Sequence, residues 1–121
     1  MVRLLGRFVR AESPSTDKAA VDRFGRLVAA EWRGHGARVR ILRQRAYGDH
    51  VRAELFLGRG RPHGQILTLG HLDTVYDVGT LERMPFRIAR GRAWGPGTFD
   101  MKSGLVIALI AVDVLRRAGL R

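Results

Sequence analysis

A length of 121 residues, 45% hydrophobic content and no cysteine describe one small domain with a real core. They exclude a disulfide framework, thiolate zinc sites and a cysteine nucleophile, so any metal would rest on histidine and carboxylate. The net charge of +11 raises nucleic acid as a partner, but the arginines are scattered from Arg3 to Arg121 and no aromatics interleave with the densest group, Arg38, Arg40, Arg43 and Arg45. The composition therefore argues against nucleic acid and for a solvated basic surface, or for a positive field that draws an anionic substrate.

The first ten residues do not read as a signal peptide, because Arg3, Arg7 and Arg10 interrupt every apolar stretch. Leu4, Leu5, Phe8 and Val9 fall at helical spacing, which predicts a short helix over 3–10. Pro14 breaks it, and Ser15 or Thr16 is placed to cap a second helix with Asp17 in its first turn. Val21, Phe24, Leu27, Val28 and Trp32 give that helix one apolar face, and Gly34 and Gly36 end it. Strands are expected over 38–42 and from Val51 to Leu57, separated by a turn at Tyr47-Gly48-Asp49. Residues 58–64 read as a loop and 65–70 as a buried, central strand. Phe86–Ala89 and Arg92–Trp94 flank a turn at Arg90-Gly91 and predict a hairpin. From Ser103 to Ala118 the pattern is helical, with Leu105, Val106, Leu109, Val112 and Leu115 in one broad stripe suited to packing on a sheet.

This order predicts an α/β protein with a central mixed sheet flanked by helices. The last helix is followed by no further strand, which reads as truncation after the helix that follows Asp100. The longest apolar run, 104–112, falls far short of the roughly 20 residues that span a bilayer, so no membrane partner and a cytoplasmic location are expected.

Chemistry concentrates where the apolar run 65–70 stops. Residues i and i+2 of a strand share a face, so His71 and Asp73 can be neighbours at its C-terminal end, the end at which open α/β sheets bind ligands. A metal-bound histidine commonly donates its other ring N–H to a carboxylate or carbonyl, which suits His71 as ligand and Asp73 as its orienting partner. Taken alone, the pair also fits a surface histidine beside a loop aspartate. Asp100 lies 29 residues further on, in a Gly-rich junction directly before the last helix. Its carboxylate could cap that helix or bridge two metal ions. Neither Gly58-x-Gly60 nor Gly95-x-Gly97 continues into a dinucleotide fingerprint, and there is no phosphate loop or Gly-x-Ser-x-Gly elbow. His35 and His63 read as surface loop residues, His50 as the start of a strand, Lys102 as an exposed lysine near a helix start, and Asp113 as a rim residue.

The stretches "GHLDTV", "GTLERMPF" and "GRAWGPGTFDMKSGL", together with "SPS" at 13–15, resemble the dinuclear-zinc peptidases and deacylases. These include glutamate carboxypeptidase, acetylornithine deacetylase, succinyl-diaminopimelate desuccinylase and aminoacylase. The wording is most similar to the glutamate carboxypeptidase branch. The resemblance implies that His71 binds one zinc, Asp73 orients it, Asp100 bridges two zincs, and the peptide after Asp100 is cis. It implies hydrolysis of a C-terminal peptide bond or an N-acyl amino acid by metal-activated water, with a glutamate as general base. Zinc is the implied metal, as two ions in full-length members, with cobalt or manganese as substitutes. Full-length members are often homodimers. The family's adjacent Glu pair, further ligands and lid domain have no counterpart here; the last glutamate is Glu82. On this reading, residues 1–121 are the N-terminal portion of one catalytic domain and inactive alone. The alternatives are a non-catalytic or degenerate fragment with a metal half-site, and a basic nucleic-acid-binding module.

Overall fold

The computed structural model describes residues 1–58 and 64–119. Most of the loop expected over 58–64, and His63 with it, lies outside the described residues. Helix α1 (Val2–Arg10) leads into α2 (Lys18–Gly34), and α2 into an antiparallel hairpin of β1 (Arg38–Leu42) and β2 (His50–Glu54). After the site region come a one-turn helix α3 (Thr80–Arg83), a second hairpin of β3 (Arg87–Ala89) and β4 (Arg92–Trp94), a wide turn over Thr98–Lys102, and α4 (Ser103–Arg117). Among the described residues no helix is long and apolar enough to cross a membrane.

The core lies where three helices meet. Leu5, Phe8 and Val9 of α1 pack with Phe24 and Val28 of α2 and with Val106 and Leu109 of α4. Phe8 and Phe24 are fully buried and meet edge to face, centroids 5.3 Å apart at 84°. Each such side chain contributes about 1.5–3 kcal/mol by leaving water. This is the seam that the helical spacing of Leu5, Phe8 and Val9 predicts.

Helix α2 is capped by Asp17, not by Ser15 or Thr16. The Asp17 carboxylate accepts the Ala20 N–H at 2.9 Å. Its other end hands the chain to β1 through Gly36, whose φ of +77° suits glycine. His35 sits at that end and lies 3.3 Å from Asp113 of α4, so the expected surface histidine meets a rim residue of another helix.

The β1–β2 loop is pinned to α2 by ions. Asp22 accepts the Asp49 N–H at 2.7 Å, Asp49 accepts the Gln44 N–H at 2.9 Å, and the Lys18 ammonium donates to both carboxylates at 2.9 and 2.7 Å. Gly48 is required beside them, because a Cβ there would lie 2.2 Å from Val21 Cγ1. The Asp49 N–H and then Lys18 hold the Asp22 carboxyl below its usual range; Lys18 and then the Gln44 N–H do the same for Asp49. Carboxylates depressed in the folded state stabilise it above their unfolded pKa, and that stabilisation is lost as pH falls. The urea midpoint is therefore expected to drop as pH is lowered below about 4, and Asp22→Asn should flatten that drop while lowering the midpoint at neutral pH.

The α/β class holds, with a different sheet arrangement. The described residues form two separate two-stranded antiparallel ladders. The segment 65–70, expected as a central strand, has no ladder, and Ile66 and Leu69 are 95% and 80% exposed. A strand exists through partners, and none of the described residues offers 65–70 a row of hydrogen bonds. The β2 ladder likewise stops at Glu54, short of Leu55 and Leu57. The second hairpin matches its prediction: Arg90 and Gly91 both have positive φ, +51° and +71°, the turn whose twist suits a two-residue hairpin. Helix α4 buries only Val106 and Leu109 of its stripe fully, and Ile107 and Val114 face solvent. Its main helical neighbour is α1 rather than a sheet.

Candidate metal centre

Three short pieces of chain converge outside the helical core. The first is Ser13-Pro14-Ser15, in the link from α1 to α2. It runs parallel to Leu72-Asp73-Thr74: Thr74 N–H donates to the Ser13 carbonyl at 2.8 Å, and Ser15 N–H to the Thr74 carbonyl at 3.0 Å. These bonds use the carbonyl before Pro14 and the N–H after it, so the missing proline donor is not needed. The Ser13 hydroxyl is fully buried and donates to the Leu72 carbonyl at 2.8 Å.

The third piece is the turn carrying Asp100. Gly97 at φ +64° opens it, the Lys102 N–H closes it on the Gly97 carbonyl at 3.0 Å, and the Asp100–Met101 peptide is cis, as the resemblance implied. Lys102 is buried, contrary to expectation. Its ammonium donates to the Phe8 and Ala11 carbonyls at 3.0 and 2.6 Å, at the C-terminal end of α1, and lies 4.4 Å from the centre of the Phe24 ring. Carbonyls at a helix end and an aromatic face both attract a cation. Burial pushes the Lys102 ammonium down to about 8, against the attraction of Glu12. Glu12 in turn accepts the Gly79 and Leu81 N–H groups at 2.9 and 3.0 Å, fixing the start of α3. The Gly79 bond is the main reason its carboxyl sits below the usual range.

His71 joins the pieces. Its Nε2 lies 2.8 Å from Asp100 Oδ1, and its Nδ1 lies 3.0 Å from the Asp73 carbonyl and 3.3 Å from Asp73 Oδ1. Its backbone N–H reaches Met101 Sδ at 3.2 Å. Asp73 Oδ2 accepts the Ser15 hydroxyl. Partial burial opposes charge on His71, but the Asp100 hydrogen bond and the Asp73 carbonyl outweigh it, so its pKa is raised. The Ser15 hydroxyl holds the Asp73 carboxyl below its usual range, helped by His71. Ser15, His71, Asp73, Thr74, Tyr76 and Asp100 line one shallow cleft.

His71, Asp73 and Asp100 are therefore brought together as read, although His71 and Asp73 do not lie on a strand. The sequence alone does not place Ser15, Lys102, Glu12 and Tyr76 at the site. The only pointer was "SPS" within the family resemblance, since their partners lie 58 to 94 residues away in sequence for Ser15 and Lys102.

The donor set fits a cation in part. In the tautomer with Nδ1–H directed at the Asp73 carbonyl, His71 would present its Nε2 lone pair beside Asp100 Oδ1, a nitrogen and an oxygen donor on one shared space. Among the described residues, no group of three or more His, Asp and Glu side chains is arranged to hold a metal.

Residues 67–121 match the model of peptidase family M20/M25/M40, which bears out the peptidase resemblance read from the motifs. The whole chain is 28% identical over 123 aligned residues to Carboxypeptidase G2 of Pseudomonas sp. (strain RS-16), and it spans 29% of that relative.

Proposed function

We propose that residues 1–121 form the N-terminal portion of the catalytic domain of a cytoplasmic, zinc-dependent peptidase or deacylase. Its substrate class would be a C-terminal peptide bond or an N-acyl amino acid. The observation that supports this most is His71, held between Asp73 and Asp100 inside the segment that matches the peptidase family. His71 through Nε2 and Asp100 through its carboxylate would hold the metal, with Asp73 orienting the imidazole. A bound zinc would supply Lewis acidity toward a carbonyl and toward water.

The chain's own contributions are positional. Asp73 keeps the proton of His71 on Nδ1, so that Nε2 serves as a donor. Lys102, anchored under α1, holds the turn that presents Asp100. Two protein ligands fall short of the three that catalytic zinc sites keep, and the general base of the mechanism has no counterpart here. The 121-residue chain by itself is accordingly expected to hydrolyse neither class of substrate.

Isothermal titration with zinc tests the reading. Weak binding is expected near neutral pH, weaker still as pH falls and His71 keeps its Nε2 proton, and lost in His71→Ala. Zinc binding unchanged in His71→Ala and in Asp100→Asn would sink the assignment.

A further inference from the structure

We propose that Ser15 is a positioning residue of this centre: its hydroxyl holds the Asp73 carboxylate in the pose that orients His71. The inference rests on the metal half-site reading for its purpose but on separate geometry for its content. The sequence offers Ser15 as a helix cap; in the structure Asp17 performs that task, so the Ser15 hydroxyl is free to act elsewhere. It donates to Asp73 Oδ2, while Oδ1 of the same carboxylate faces His71 Nδ1 at 3.3 Å. The Thr74 carbonyl is a second acceptor, 3.2 Å away, but a single hydroxyl proton favours the ionised oxygen.

The backbone clamp makes this contact persistent. Ser15 N–H and the Ser13 carbonyl grip Thr74 from both sides of Pro14, and the buried Ser13 hydroxyl grips Leu72. This pairing is the only sheet-like bridge that segment 64–79 makes among the described residues. Asp73, between the two gripped residues, is therefore fixed at its backbone by Ser13 and at its carboxylate by Ser15. Without the hydroxyl, the carboxylate can rotate away, and His71 Nδ1 is left with the Asp73 carbonyl alone, 3.0 Å away.

The test uses the full 121-residue chain and two readouts. In NMR, nuclear Overhauser contacts should place the wild-type His71 ring in one orientation, with Nδ1 toward Asp73. Ser15→Ala should spread the ring over several orientations and weaken zinc binding about tenfold, and Ser15→Thr should restore both. In an Asp73→Asn background, Ser15→Ala should add nothing, which also serves if the single variant folds poorly. An unchanged ring orientation in Ser15→Ala, or full additivity with Asp73→Asn, would overturn the proposal. A loss of ring order in Ser15→Ala, in a chain whose wild type binds no zinc, would uphold the positioning role and overturn the metal reading instead.

Discussion

Phe24→Ala is expected to remove a large part of the fold's stability, about 3–5 kcal/mol. A domain of this kind commonly has only about 5–15 kcal/mol in total. Phe24 is fully buried, stacks edge to face on Phe8, and offers its ring to the Lys102 ammonium at 4.4 Å. Truncation would open a cavity at the meeting of α1, α2 and α4 and leave the ammonium over empty space. Urea denaturation followed by circular dichroism measures the effect. Phe24→Leu, which keeps volume but removes the aromatic face, should lose clearly less. Equal losses would mean that the ring face contributes little.

Gly97→Ala is expected to cost about 2–4 kcal/mol, from two sources. An alanine would have to hold φ at +64°, and its Cβ would lie 2.5 Å from Thr74 Cγ2. The second source acts on the candidate centre directly, because Thr74 is the residue gripped by Ser13 and Ser15. Thr74→Ser removes that methyl group, so adding it to Gly97→Ala should recover the steric part of the loss and leave the backbone part. A double variant no more stable than Gly97→Ala would show that the contact with Thr74 is not where the loss arises.

Much of the fold was legible because its signals are local. The spacing of Leu5, Phe8 and Val9, the apolar face of α2, and Arg90-Gly91 between two short apolar runs each specify an element from within a few residues. What escaped was non-local. Segment 65–70 has the composition of a strand, but a ladder depends on a neighbour that composition does not name. Lys102 read as exposed because nothing near it in sequence announces the helix-end carbonyls and aromatic ring that surround it. Asp17 displaced Ser15 as a cap because Ser15 has a carboxylate to serve 58 residues away. The centre shows both cases. His71 and Asp73 were read as neighbours on a strand, and they are neighbours, but through the grip of Ser13 and Ser15 on residues 72–74 rather than through a sheet.

That grip has a consequence for synthesis on the ribosome. Ser15 and Thr74 are 59 residues apart, and Lys102 follows Phe8 by 94. At about 5–20 residues per second, α1 and α2 exist for several seconds before the segment they hold has been made, and longer before the lysine that fills the end of α1 arrives. The two hairpins close within their own few residues, whereas the centre and the packing of α1 on α4 close far longer loops. In a nascent chain α1 and α2 therefore precede the site, while α4, whose Val106 and Leu109 complete the core, follows it.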